Sequence, residues 1–305
     1  MSQFNNSEYQ VLVSDLIGDV YYSSTSYRGK VATLRQYAEV VVRKILDIDP
    51  RKDITLGSKD IQLGIKALPN NKIVKAAVNK LKKKGNKTTH TQYRGEVTED
   101  EFNNATDGLF DLLSYLFIKY FEKYEFGTNK NIMSVFSILP PIIRYKVLAF
   151  LYEKHPNNID VIDKYVLAML KAFDAETATS WVEANKEKLS KMPIYSDNAI
   201  NEVAEQDPSV AIMLITTDIS NMYHLCTDKI EKVGATIRGK GLTYSDFESA
   251  MPYYKQSGIV QGDTEDVKEF NDIMEFLYMG RRERELLCSS IDNATTVLDV
   301  MESSK

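Results

Sequence analysis

Residues 98–124 read TEDEFNNATDGLFDLLSYLFIKYFEKY and establish the class of fold. Thr98 followed three residues later by Glu101 is a capping box, in which each side chain can accept from the other's backbone at the start of a helix. Apolar side chains then recur at three- and four-residue intervals, which predicts one long amphipathic helix over 99–124. These side chains are Phe102, Leu109, Leu112, Leu113, Leu116, Phe117 and Phe121.

The same spacing recurs along the rest of the chain, and alternating strand-like runs are nearly absent. Ser26 and Ser58 are predicted helix caps, and Gly85 is expected to end a helix because glycine adopts the left-handed conformation without steric cost. The chain is therefore predicted to be all-α. The further helices are predicted over 9–22, 28–46, 59–68, 72–84, 141–153, 159–173, 174–189, 196–205, 208–233, 244–256, 265–278 and 281–301.

The length of 305 residues favours two domains. Residues 127–131 (GTNKN) are small or polar and separate two apolar helical segments, which is typical of a linker. We therefore expect a helical bundle over 1–126, a linker over 127–131, and a second all-helical domain over 132–305. Residues 1–127 hold 19 Lys or Arg against 16 Asp or Glu, whereas the whole chain has a net charge of −5, so the second domain is acidic.

One window carries the strongest signal for function. Residues 61–95 contain nine Lys or Arg and no Asp or Glu, and residues 82–90 read KKKGNKTTH. A solvated helix face usually mixes charges of both signs, so this excess of positive charge favours contact with a polyanion. The predicted nucleic-acid-binding residues are Lys75, Lys80, Lys82, Lys83, Lys84, Lys87 and Arg94.

Two motifs in this region resemble the helical HEPN superfamily. They are Leu34-Arg35-x-x-x-Glu39 in an early helix and Lys82-x-x-Gly85-Asn86-x-x-x-His90 before the long helix at 99–124. The likeness covers residues 28–124 and is closest to an uncharacterised branch associated with restriction systems. It implies an RNA-binding protein that acts as a metal-independent endoribonuclease in a prokaryotic defence (antiviral) or toxin-type system. Lys82 stands where the family usually has arginine, whose planar fork binds phosphate more specifically.

The resemblance also implies roles for individual residues. His90 would be the catalytic histidine and Asn86 its polar neighbour, with Lys82 beside them and with Arg35 and Glu39 lining the same cleft. An imidazole can accept or donate a proton near neutral pH, and ammonium groups can stabilise charge on phosphate oxygens. No metal and no cofactor is expected. A homodimer would supply a second His90 for the second proton transfer, and the apolar helix at 99–124 is a candidate for its interface.

Structural explanations remain open for the same residues. His90 could cap a turn, and Arg35 and Glu39 could form a surface ion pair one helical turn apart. The alternative function is a non-catalytic dimerising adaptor whose domain at 132–305 binds a protein partner.

Other features limit the classes of function and location. Two cysteines cannot form a disulfide framework, which favours a cytoplasmic protein. No segment is apolar enough to span a membrane, so no membrane partner is expected. Residues 234–241 differ from a phosphate-binding loop at Gly241 and are predicted to form a flexible basic loop. The charged run at 281–285 is predicted to be a solvated face of the last helix.

Overall fold

The computed structural model describes residues 4–89, 94–195, 197–210, 212 and 221–284, without the side chains of 83–89, 197–199, 201 and 202. All of the regular secondary structure in this part of the chain is helical and none of it is β-strand, so the all-α prediction is confirmed. Transmembrane helices were not expected, and none of the helices described here is both long and apolar enough to be one.

The chain packs into two compact units. Unit 1 contains residues 1–124, 134–139 and the stretch that starts at 246, and unit 2 contains residues 125–133 and 140–245. The sequence predicted a second domain over 132–305. In the structure, the described residues 246–284 pack with the N-terminal helices instead, and residues 127–131 fall within unit 2.

Unit 1 begins with α1 (Asn6–Ile17), which continues into a short π-helix (Gly18–Tyr22). The remaining helices are α2 (Tyr27–Leu46), α3 (Lys59–Ala67), α4 (Lys72–Thr89), α5 (Glu99–Lys123), the end of α6 (Lys130–Phe136), α13 (Phe247–Ser257) and α14 (Glu265–Tyr278).

The predicted caps hold these helices at their starts. The Ser26, Ser58 and Thr98 hydroxyls accept from the backbone N–H groups three residues onward, at 3.3–3.4 Å. Three acidic side chains in the first turn of α5 also suit the positive end of its dipole. Local sequence therefore fixes where α2, α3 and α5 begin.

The core of unit 1 forms around α5, which packs against α2, α4 and α14. Phe117 on α5 is fully buried and contacts Phe136 and Phe270, with ring centroids 5.6 and 5.8 Å apart. The Leu and Phe side chains proposed for a dimer interface are largely buried inside the single chain. Apart from its ends, the apolar face of α5 is therefore used within unit 1 and is not available to a second copy.

Unit 2 is built from helices that pack against their neighbours in the chain. Its helices are the start of α6, α7 (Pro141–Lys154), α8 (Ile159–Ala172), α9 (Ala175–Ala184), α10 (Lys186–Leu189), α11 (Asp197–Gln206) and α12 (Met222–Lys240). α8 lies at the centre and packs against α7, α9 and α12. Asn221 is the N-cap of α12, so the single helix predicted over 208–233 is interrupted at that residue.

Candidate functional site

α4 carries most of the predicted site and is longer than predicted. It runs from Lys72 to Thr89 without a break, so Gly85 lies inside the helix and does not end it. A glycine inside a helix costs only about 1 kcal/mol relative to alanine, which the packing of the rest of α4 can offset. Residues 85 and 86, where a turn was expected, are thus part of one continuous helix.

The predicted catalytic residues are only partly described. His90 lies outside the described residues, and Asn86 lies in α4 but its side chain is outside them. Lys82 is half-buried near the end of the described α4 side chains, and Arg35 and Glu39 are half-buried on α2. The grouping of these five residues in one cleft stays a prediction.

Glu39 has a structural contact of its own. One carboxylate oxygen, Oε1, accepts from the backbone N–H of Leu56 at 3.3 Å. Leu56 lies in the segment between α2 and α3, so this bond fixes that segment against α2. One oxygen of Glu39 therefore has a structural role.

Several cations of the basic window lie in solvent without an acidic partner. Lys66, Lys72, Lys75 and Arg94 are exposed and Lys82 is half-buried. Within the described ranges, no carboxylate forms an ion pair with any of these five side chains. On α4, positions 72, 75 and 82 follow the three- and seven-residue spacing of one helix face and span about 15 Å along the axis.

Lys80 differs from its neighbours because two aspartates of α5 surround it. Its ammonium group lies 2.8 Å from Asp107 and 3.1 Å from Asp111. Burial lowers the pKa of Lys80, but the hydrogen bonds to Asp107 and Asp111 outweigh that effect and raise it overall. α4 lies close to α5 at Gly108, where an added Cβ would lie 3.3 Å from the Lys80 Cβ. The positive charge of Lys80 is therefore neutralised by the fold.

The sequence did not single out two further cations near this region. Arg28 in the first turn of α2 donates from Nη2 to the carbonyl oxygen of Gly95 at 2.7 Å, which ties the residue after Arg94 to α2. Lys30 lies in the same turn, with its Nζ 5.8 Å from the centre of the Phe102 ring. The sequence signal that could have pointed to Arg28 and Lys30 is the absence of an acidic residue from the first turn of α2.

A cleft of about 570 Å³ elsewhere in unit 1 has the opposite character. It lies at the start of α1 and is lined by Glu8, Asp49, Asp272, Glu275 and Arg51 among others. Hydrogen bonds from Arg51 hold the pKa of Asp49 down to about 2, so that carboxylate is ionised at neutral pH. A cleft with this excess of carboxylates does not suit a polyanion.

Two predictions about charged segments are wrong. Arg281, predicted to lie on a solvated helix face, is buried, and residues 281–283 are not helical. Residues 234–240 belong to α12 and form no loop.

In the described residues there is no group of three or more His, Cys, Asp or Glu side chains that could hold a metal ion.

Comparison with known proteins adds no assignment, since no protein-family model, curated protein sequence or solved structure matches the chain.

Proposed function

We propose that this protein binds RNA through the basic surface formed by Lys66, Lys72, Lys75, Lys82 and Arg94. The observation that carries the proposal is the contrast between these side chains and Lys80. Lys80 sits between two aspartates, whereas no described carboxylate pairs with the other five. Unpaired like charges repel one another, and a polyanion removes that repulsion while its own counterions are released.

The contacts would be made to the RNA backbone. No aromatic side chain lies among the described residues of α4, so base stacking contributes little along this helix. Lysine ammonium groups bind phosphates as point charges and carry little sequence information. The affinity is therefore expected to depend strongly on salt and weakly on base sequence.

The resemblance to the HEPN superfamily supports RNA over DNA and extends the proposal to cleavage. In that case one His90 accepts the proton of the 2′-hydroxyl group. The His90 of a second copy donates a proton to the leaving oxygen. Lys82, together with Lys83, Lys84 or Lys87, stabilises charge on the phosphate oxygens. Such a reaction needs neither a metal nor a cofactor.

Binding is tested with a fluorescent single-stranded RNA of mixed sequence and anisotropy as the readout. The variant Lys72→Ala/Lys75→Ala/Lys82→Ala should bind at least about tenfold more weakly, since each lost phosphate contact removes part of the counterion release. Lys80→Ala is the matched control, because this lysine lies on the same helix but is already paired, and its affinity should stay close to wild type. Equal affinity of wild type and the triple variant would exclude this surface.

Cleavage is tested separately by incubating the protein with total RNA in EDTA. The proposal predicts fragments that the His90→Ala variant does not produce, with RNA affinity unchanged in that variant. RNA binding without cleavage by the wild type would restrict the function to binding.

An adaptor is the second candidate, favoured by one feature of unit 2. Phe173 at the end of α8 is 48% exposed, and its ring packs edge-on against Tyr145 at 4.7 Å. Aromatic side chains are enriched at the centre of protein–protein interfaces. If the chain binds no RNA, a Phe173→Asp variant that loses a protein partner retained by the wild type would support the adaptor function.

A further inference from the structure

Arg281 is a buried arginine that the basic surface of α4 does not involve. It follows Gly280, whose φ of +72° favours glycine, and a Cβ at Gly280 would lie 2.7 Å from the Cα of Ser14. The chain therefore passes so close to α1 that only glycine fits. This close passage places the Arg281 side chain in the interior of unit 1, where it is 1% exposed.

Three neighbours hold the guanidinium group in place. Nη1 donates to Glu248 Oε1 at 3.1 Å, and the group also lies against two aromatic rings. Its central carbon is 4.5 Å from the centre of the Tyr21 ring and 4.3 Å from that of Phe247. Tyr21 belongs to the π-helix, a distortion that is frequent at functional sites.

The opposite edge of Arg281 is buried without a hydrogen bond. In the part of the chain that the structure describes, neither Nε nor Nη2 has a partner, and the buried hydroxyls of Tyr21 and Tyr37 make no hydrogen bond of good geometry either. Burial raises the pKa of both phenols, to about 12 for Tyr37, so both hydroxyls keep their protons at neutral pH. The cluster thus contains unpaired buried donors close to a permanent cation.

The carboxylate that pairs with Arg281 has a second donor. Glu248 is shared, since its Oε1 accepts from the Tyr22 hydroxyl at 2.7 Å as well as from Arg281. A second cation, Arg282, lies over the Tyr22 ring at 5.0 Å. Arg282 is exposed, so its charge is solvated and does not belong to the buried cluster.

We propose that Arg281, Tyr21 and Tyr37 form a binding site for a small oxyanion, a carboxylate or a phosphate group. Nε and Nη2 form the parallel pair of donors that matches two oxygens of such a group. The two phenol hydroxyls can donate to the remaining lone pairs of the same group. One water molecule has two lone pairs, so it can accept from only two of these four groups, whereas the oxygens of an oxyanion can accept from all of them.

Such a ligand should stabilise unit 1, because it binds only the folded state in which residues 279–282 lie against the π-helix. The melting temperature is measured in increasing acetate, or in increasing inorganic phosphate, with chloride replaced at constant ionic strength. The proposal predicts that the melting temperature rises with the logarithm of the oxyanion concentration. The acetate and phosphate series show which of the two groups the site takes.

Variants separate the site from the general effect of salts on stability. Tyr37→Phe removes one buried donor and leaves the ring, so the rise should be largely lost. Arg281→Lys keeps the charge but removes the fork, and should abolish it if the variant folds. The matched control is Tyr115→Phe, because Tyr115 is equally buried but its hydroxyl already donates to the Pro69 carbonyl. Tyr115→Phe should lower the melting temperature yet keep the same rise with oxyanion.

Two results would overturn the proposal. One is a wild-type melting temperature that does not depend on acetate or phosphate beyond the effect of chloride. The other is an equal rise in wild type and Tyr37→Phe, which would mean that the anions act elsewhere on the chain or only through the solvent.

Discussion

Replacing Phe270 with alanine should destabilise the protein by about 3–5 kcal/mol, the usual cost of removing a fully buried phenylalanine. The Phe270 side chain on α14 is completely buried, and its ring lies 5.8 Å from that of Phe117 and 5.5 Å from that of Tyr120. Both partners belong to α5. The variant therefore removes the centre of the contact between α14 and the core of unit 1.

Urea unfolding monitored by circular dichroism measures this cost. The midpoint for Phe270→Ala should fall, with the slope of the transition unchanged. Leu63→Ala is the control, because Leu63 is 55% exposed and its loss should change the free energy of unfolding by at most about 0.5 kcal/mol. A cost below about 1 kcal/mol for Phe270→Ala would refute the placement of residues 265–278 in this core.

The same packing bears on the domain boundary predicted from the sequence. A fragment of residues 1–126 lacks α14, whose apolar face is buried in unit 1. Burying each such side chain contributes about 1.5–3 kcal/mol, so losing several of them exceeds the stability of an ordinary domain. The fragment should therefore lack a cooperative thermal transition, and a sharp one would contradict the division of the chain.

Two further predictions concern unit 2. Burial and the neighbouring Asp163 raise the pKa of Asp160 in the folded protein. Because the folded state resists ionisation of this carboxylate, the free energy of unfolding falls as the pH rises above the unfolded pKa near 3.8. Asp160→Asn should consequently raise the melting temperature at pH 7 and give no gain below pH 3.8, whereas an equal gain at both pH values would contradict this origin. Burial raises the pKa of the Cys226 thiol to about 12, so iodoacetamide should label Cys226 slowly until the protein is denatured. Peptide mass spectrometry measures that labelling, and rapid modification of the native protein would show that the thiol is accessible.

The sequence predicted the helices well where the signal is local. Caps at Ser26, Ser58 and Thr98 occur at their predicted positions, and α5 differs from its predicted range by one residue. A cap depends on residues within one turn of one another, so no knowledge of tertiary packing is required.

The predictions of a helix end at Gly85 and of a loop at Gly234 were wrong because the effect of a glycine depends on packing. Gly85 and Gly234 both lie inside helices. A Cβ at Gly234 would lie 3.9 Å from Leu170 on α8, so this glycine faces a neighbouring helix. The sequence shows the weak local preference of glycine but not the helix packing that outweighs it.

Charge patterns failed for a related reason. The basic window contains no acidic residue, yet Lys80 is neutralised by aspartates 27 and 31 positions away. Arg281 lies in a highly charged run, but Gly280 turns it into the core. Pairing across long sequence distances determines which cations stay available, and local composition does not reveal it.

The salt dependence of RNA binding tests the central proposal most directly. For single-stranded RNA, the slope of log K against log salt concentration is about −0.7 for each phosphate contact. If Lys72, Lys75 and Lys82 each contact a phosphate, replacing all three with alanine should flatten the slope by about two units, with Lys80→Ala leaving it unchanged. Parallel slopes for wild type and the triple variant would show that these lysines do not contact RNA.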